Sequence, residues 1–293
     1  MNGTVEKLGK AVLIASVVIL ALAALLLAGI LFWKHRNQPQ PEETTVSTEA
    51  TTLPPQTQET TEPTTAPTEP PIPLTDLKAS DFGYVDGVFT CLTRDCLMGI
   101  DVSKYQGTVD WEQVKAAGFD FVMIRVGYRG YGKAGNMKPD EWANRHYKGA
   151  KAAGLLVGAY FFSQAISEEE AREEALYALE LTKNWELDLP IVYDWELVED
   201  GRAAEVDTDT LTACAIAFCQ EISDAGRRTM IYVSPWFGNL HLDQLEEYPQ
   251  WLARYTDQLD YPYRFEMWQY TCTGTVPGVK GDVDINILFP YDW

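Results

Sequence analysis

The run Leu189-Pro190-Ile191-Val192-Tyr193-Asp194-Trp195-Glu196 places two carboxylates two residues apart at the end of a short, β-prone apolar segment. Side chains alternate between the faces of a strand, so Asp194 and Glu196 point one way and Trp195 the other. Two carboxylates held side by side do not both ionise freely. One is driven toward the protonated form, which is the form a general acid needs. A solvated acidic turn would carry the same letters, so the pair gains meaning only from its neighbours.

Those neighbours follow from the elements. Residues 78–96 read as a lead-in, with the hairpin signal Asp86-Gly87 inside 84–89. Strands are predicted at 97–102, 119–127, 155–163, 190–195 and 228–234. Helices are predicted between them at 111–117, 140–153, 167–184 and 208–225. Asp110 caps the first helix, Ser167-Glu168-Glu169-Glu170 forms a capping box, and Gly118, Gly154 and Gly226 stop helices. Three further strands at 250–255, 264–271 and 282–288 follow with short connections. Alternating strand and helix implies a parallel sheet with helices outside. The expectation is an α/β fold: an irregular TIM-like β/α barrel of eight strands and about five helices.

In such a barrel the site lies at the C-terminal ends of the strands. Asp101 sits late in the first strand, Asp194 and Glu196 end the fourth, and Asp284 lies in the last. Closure of the barrel brings the last strand beside the first, so four carboxylates converge with no basic cluster to neutralise them. Like-charge strain of that kind is kept at active sites. Tyr160, Phe162, Tyr232, Trp268, Gln269 and Tyr270 follow the same rims. Most read as packing; Tyr160, Tyr232, Trp268 and Tyr270 are the candidates for stacking on sugar rings.

Composition sets further bounds. A net charge of −20 speaks against nucleic acid as a partner, since phosphate contacts need clustered Lys and Arg. Five cysteines and three scattered histidines give no zinc spacing, and no metal or organic cofactor is expected. Cys91 and Cys96 could pair in an oxidising compartment, whereas Cys214 and Cys219 read as buried helix positions.

The first 77 residues are not globular in pattern. Residues 11–33 are uncharged and almost wholly apolar, long enough to span a membrane once, with basic residues at both ends. A signal peptide usually has a shorter apolar core and a small-residue cleavage site. Residues 37–77 are rich in Thr, Pro and Glu, with no Lys or Arg, and read as a disordered linker. The expected organisation is a short cytoplasmic N-terminus (1–10), a transmembrane helix (11–33), the linker (37–77), the lead-in (78–96) and a catalytic barrel (97–293).

Several motifs together resemble the glycoside hydrolase family 25 lysozymes. They begin with Gly99-Ile100-Asp101-Val102-Ser103-Lys104-Tyr105-Gln106-Gly107, followed by Val109-Asp110-Trp111. Phe121 to Arg125, Gly158 to Phe162, Asp194-Trp195-Glu196, Trp251 to Tyr255, Trp268-Gln269-Tyr270 and Val283 to Asn286 come after them in order. The resemblance implies cleavage of the β-1,4 bond between N-acetylmuramic acid and N-acetylglucosamine in peptidoglycan. By position it implies Glu196 as general acid, Asp194 as support for the substrate's acetamido group, and Asp101 and Asp284 as the rest of the acidic cluster. Acetamido-assisted attack would retain configuration and direct attack by water would invert it; the carboxyl separation is the test. The expected protein is a monomer in the cell membrane, its catalytic domain outside on peptidoglycan strands. The rival reading is a non-catalytic glycan-binding module on a stalk. A metal-dependent deacetylase would need His and Asp ligands that the chain lacks.

Overall fold

A computed structural model describes residues 73–85, 87–235 and 240–290. The 1–10 segment, the expected membrane-spanning run at 11–33 and the linker up to residue 72 lie outside the described residues. Among the described residues, no helix is long and apolar enough to cross a membrane.

The elements begin with an antiparallel hairpin, β1 (Phe82–Val85) and β2 (Val88–Cys91). Then come β3 (Leu97–Val102), α1 (Trp111–Ala116), β4 (Phe121–Arg129), β5 (Met137–Pro139), α2 (Ala143–Ala152), β6 (Leu156–Ser163) and α3 (Glu168–Thr182). β7 (Ile191–Trp195), α4 (Thr208–Asp224), β8 (Thr229–Val233), β9 (Gln250–Ala253), β10 (Met267–Gly274) and β11 (Val283–Leu288) complete them. Four α-helices and three short 3-10 turns therefore stand among the described residues where about five helices were expected.

Local chemistry explains most boundaries. Asp110, Ser167 and Asp207 accept hydrogen bonds from backbone N–H groups in the first turns of α1, α3 and α4. The capping box at Ser167 is only half formed. Glu170 accepts from Ile166 N and pairs with Arg202 instead of returning to Ser167. Gly154 and Gly226, with φ of 77° and 71°, follow α2 and α4 in a backbone conformation that other residues rarely adopt.

β3, β11, β10, β9, β8, β7, β6 and β4 pair in that order, and β3 pairs with β4 to close an eight-stranded barrel. Every contact in the ring is parallel except those of β11, which runs antiparallel to both neighbours. The antiparallel run brings the N-terminal end of β11 to the mouth where the other strands end. β5 was not expected from the sequence. It is a three-residue edge strand paired with the end of β4, too short for an alternating pattern.

The core has two layers. Phe121, Met123, Val192, Met230, Trp251 and Met267 fill the barrel interior, and a larger shell packs between the strands and the helices. The lead-in hairpin joins that outer shell: Phe82 and Phe89 meet Trp268 edge-on at 4.9 Å and 5.7 Å. Residues 73–77, expected to be linker, are docked as well. Leu74 bridges Tyr263, Thr75 N donates to Pro262 O at 2.9 Å, and Leu77 is buried. Cys91 and Cys96 are separate thiols, while Cys214 and Cys219 are buried in α4 as expected.

One glycine is required by the barrel floor. A Cβ on Gly99 would lie 2.4 Å from the Phe121 ring, which fills the space inside β3. Gly99→Ala is therefore expected to cost about 1–3 kcal/mol through overpacking. Urea unfolding of the described domain checks this, and an unchanged midpoint would show that the floor can yield.

Candidate active site

Asp194 is the last inward-facing residue of β7, two positions above the buried Val192, and Trp195 packs outward as expected. Glu196 leaves the strand and lines the same cavity of about 240 Å³. Asp101 and Asp284 face each other across the β3–β11 pair, where they are direct register partners. All four acids predicted from the sequence line this one cavity.

Neutral donors hold Asp101. Asp101 Oδ2 accepts from Gln269 Nε2 and Asn286 Nδ2, each at 2.8 Å. Gln269 Oε1 in turn accepts from Tyr232 OH at 2.8 Å and Tyr255 OH at 3.1 Å, and Asn286 Oδ1 accepts from Trp251 Nε1 at 2.8 Å. Five side chains thereby fix Asp101 from four strands and the segment after β9. Gln269, Asn286 and Tyr255 stood in the sequence only as rim or motif residues and were given no role at the site; for the two amides, their place beside a strand-end acid or aromatic was the available signal.

Burial raises the affinity of every member for a proton. It pushes Asp101 up to about 6, with the two amide hydrogen bonds opposing. Asp284 is pushed up to about 8, by burial and then by the charge of Asp101. Asp194 rises well above the carboxylate range, through burial first and then the charges of Glu196 and Asp101. Glu196 rises through burial and the charge of Asp101, with Arg125 opposing. The cluster therefore retains protons at pH values where isolated carboxyls have lost them.

One base attends the cluster, Arg125, which the sequence reading did not place there. It ends the inward face of β4, lines the cavity, and favours the ionised forms of Asp194 and Glu196. Asp140 holds it in place, its Oδ2 accepting from Nε at 3.0 Å and Nη2 at 2.8 Å. A second unanticipated residue is Gln164, fully buried after β6. Its Nε2 donates to Glu196 O at 2.9 Å and to Ser163 O, which ties the Glu196 backbone to the neighbouring strand. Asp194 is 4 % exposed, and its Oδ1 has no hydrogen-bond partner in the protein.

The aromatic candidates divide. Tyr160 and Tyr232 line the cavity. Trp268 and Tyr270 do not. Gln269 between them points inward, so alternation turns both outward, where they pack on Phe89 under the lead-in hairpin. Trp268 is 0 % exposed, and its Nε1 donates to Arg254 O. Among the described residues no group of three or more His, Cys, Asp or Glu is disposed to hold a metal ion.

Residues 100–279 match the profile of glycosyl hydrolases family 25. The chain is 29% identical over 204 residues to Lysozyme M1 of Streptomyces globisporus, covering 65% of this chain and 67% of that one. The modular autolysin LytC of Streptococcus pneumoniae superposes with a TM-score of 0.61 at 28% identity, over 71% of this chain. This chain spans only 52% of that autolysin, which has also been solved with a synthetic peptidoglycan ligand. A bacterial lysozyme from Streptomyces coelicolor superposes with a TM-score of 0.54 at 26% identity, covering 66% of this chain and 92% of the other.

The raised acid Asp284 makes a stability prediction. The native state holds a proton that the unfolded chain releases near pH 4, so folding stability is lost as pH rises from about 4 through the folded value of about 8. Asp284→Asn removes that loss. Its melting temperature is expected to exceed wild type by several degrees at pH 9 and to match it at pH 4. An equal difference at both pH values would mean that Asp284 is not strained by its neighbours.

Proposed function

The chain belongs to glycosyl hydrolases family 25 and is a glycoside hydrolase, and we propose that it is a lysozyme acting on peptidoglycan. In this reading it cleaves the β-1,4 bond between N-acetylmuramic acid and N-acetylglucosamine. The observation that carries the proposal is the convergence of four carboxyls, two buried and two half-buried, all with raised proton affinity, on one cavity.

Glycoside hydrolysis needs a proton on the leaving oxygen and negative charge beside an oxocarbenium-like transition state. Glu196 is the proposed proton donor. It is half-buried, stands one residue beyond the strand and reaches the open part of the cavity. Asp194 is the proposed support for the substrate's acetamido group. Its Oδ1, buried and unpartnered in the protein, suits an N–H donor on the substrate. In the free protein the more buried Asp194 competes strongly for the shared proton. An acetamido N–H donated to Asp194 favours its ionised form, and the covering sugar favours the neutral form of Glu196. Substrate binding therefore moves the proton to the residue that must give it. Asp101, pushed up only to about 6, adds negative potential beneath the sugar, and Arg125 limits the total so that Asp194 can ionise.

The decisive experiment compares wild type with Glu196→Gln and Asp194→Asn on purified cell walls. Wild type is expected to release reducing ends, and each variant to lose roughly 10²–10⁴-fold while keeping its circular dichroism spectrum. Wild type should also lose activity as pH rises and the cluster gives up its proton. Binding without release of reducing ends by wild type would favour the glycan-binding module.

The proposed setting is the cell membrane, with residues 11–33 as a single-pass anchor and the barrel outside as a monomer. The 23 uncharged residues support the anchor. Protease added to intact cells is expected to release the barrel; full protection of the barrel would refute the orientation.

A further inference from the structure

Beside the acidic cavity lies a second of about 570 Å³, which shares Tyr105, Arg125, Tyr160, Asp194 and Glu196 with it. The rest of its lining has a different chemistry. Lys104, Lys138, Tyr128 and Tyr131 belong to it alone, and the shared Tyr105 stands between the two cavities. Lys104 follows β3 on a short 3-10 turn, and Lys138 stands on β5 as the register partner of Tyr128. The small edge strand β5 thus delivers a cation to the cleft.

Lys104 and Arg125 rest on aromatic faces. Lys104 Nζ lies 5.5 Å from the Tyr105 ring centroid and 5.6 Å from that of Tyr128. The Arg125 guanidinium lies 5.2 Å and 5.4 Å from the same two rings. Arg125 also has a carboxylate partner in Asp140, but neither Lys104 nor Lys138 has an ion-pair partner among the described residues. Tyr105 and Tyr131 are 77 % and 63 % exposed. In a chain of net charge −20, two unneutralised lysines facing one cleft beside exposed aromatic rings are a local reversal of the protein's field.

We propose that this wall binds a carboxylate-bearing branch of the glycan substrate, with Lys104 and Lys138 as its counter-charges and Tyr105 and Tyr131 as platforms for the sugar beside it. The inference rests on the lysozyme reading and sharpens it. A strongly acidic enzyme repels an anionic polymer, and a cationic wall at the cleft gives the polymer one favoured way in. It also separates a carboxylated strand from a neutral N-acetylglucosamine polymer of the same backbone. The carboxylate could belong to the lactyl ether of the sugar or to a peptide stem attached to it.

The test uses Lys104→Met, Lys138→Met and the double variant, which keep the apolar stems and remove the charge. Three soluble substrates serve: peptide-bearing strands, strands stripped of peptide with the lactyl carboxylate free, and stripped strands whose carboxylates are capped as amides. Binding isotherms and hydrolysis kinetics are measured together. The double variant is expected to raise KM and Kd on the order of tenfold on carboxylated strands, with kcat little changed. The ratio of variant to wild type should fall to near one on amide-capped strands, and Lys104→Arg/Lys138→Arg should restore binding. A ratio that persists on stripped strands assigns the lactyl carboxylate, and one confined to peptide-bearing strands assigns the stem. Equal constants for variant and wild type, or the same ratio on capped strands, overturn the proposal. Absence of hydrolysis by wild type on every strand rejects the lysozyme reading, while the isotherms still decide the role of the lysines.

Discussion

The antiparallel insertion of β11 between β10 and β3 is the constraint on which the site depends. It closes the barrel and sets Asp284 opposite Asp101 in register. It also reverses the usual relation between strand end and mouth, so an acid at the start of β11 reaches acids at the ends of β3 and β7. A parallel last strand would send Asp284 to the floor, among Phe121, Met267 and Leu288. The same insertion supplies Asn286, whose amide fixes Asp101.

Holding four carboxyls together is costly in a low-dielectric mouth, and the structure limits the cost in three ways. Protons remain bound, because burial and mutual repulsion raise the affinity of each acid. Neutral amides from Gln269 and Asn286 satisfy Asp101 without cancelling its charge. One guanidinium, Arg125, is admitted and is itself held by Asp140. A second lysine or arginine inside the cluster would lower all four affinities and remove the proton that the proposed acid catalysis uses. Cations are instead displaced to the adjoining wall, where tyrosine faces carry them and no carboxylate of the cluster pairs with them.

Support for the acid pair comes from behind the barrel wall. Gln164 joins the Glu196 carbonyl to the end of β6, and Arg202 binds both the Gln164 carbonyl and the Glu170 carboxylate. The half-formed capping box of α3 has the same origin. Glu170 is drawn toward Arg202 and the Glu196 loop, so a residue whose spacing predicts a helix cap serves the site instead.

Much of this was legible in local pattern. The i, i+2 spacing put Asp194 and Glu196 on one face, the helix caps gave the βα alternation, and the alternation gave the barrel and its mouth. The proposed membrane-spanning run and most of the proposed linker rest on composition alone. Other features could not be read locally. A period of two says which residues share a face, but not which face looks inward; that is decided by what covers the other side. Trp268 and Tyr270 turn outward because the lead-in hairpin covers them, and Gln269 turns inward because Asp101 needs its amide. Arg125 reads as the end of an apolar strand until the barrel closes and brings it to Asp194. Lys138 reads as loop until β5 pairs with β4. The sequence by itself determined the chemical groups and their alternation along each strand. The tertiary structure decided which of them meet, because contacts between strands far apart in sequence follow from closure and covering, which no local spacing records.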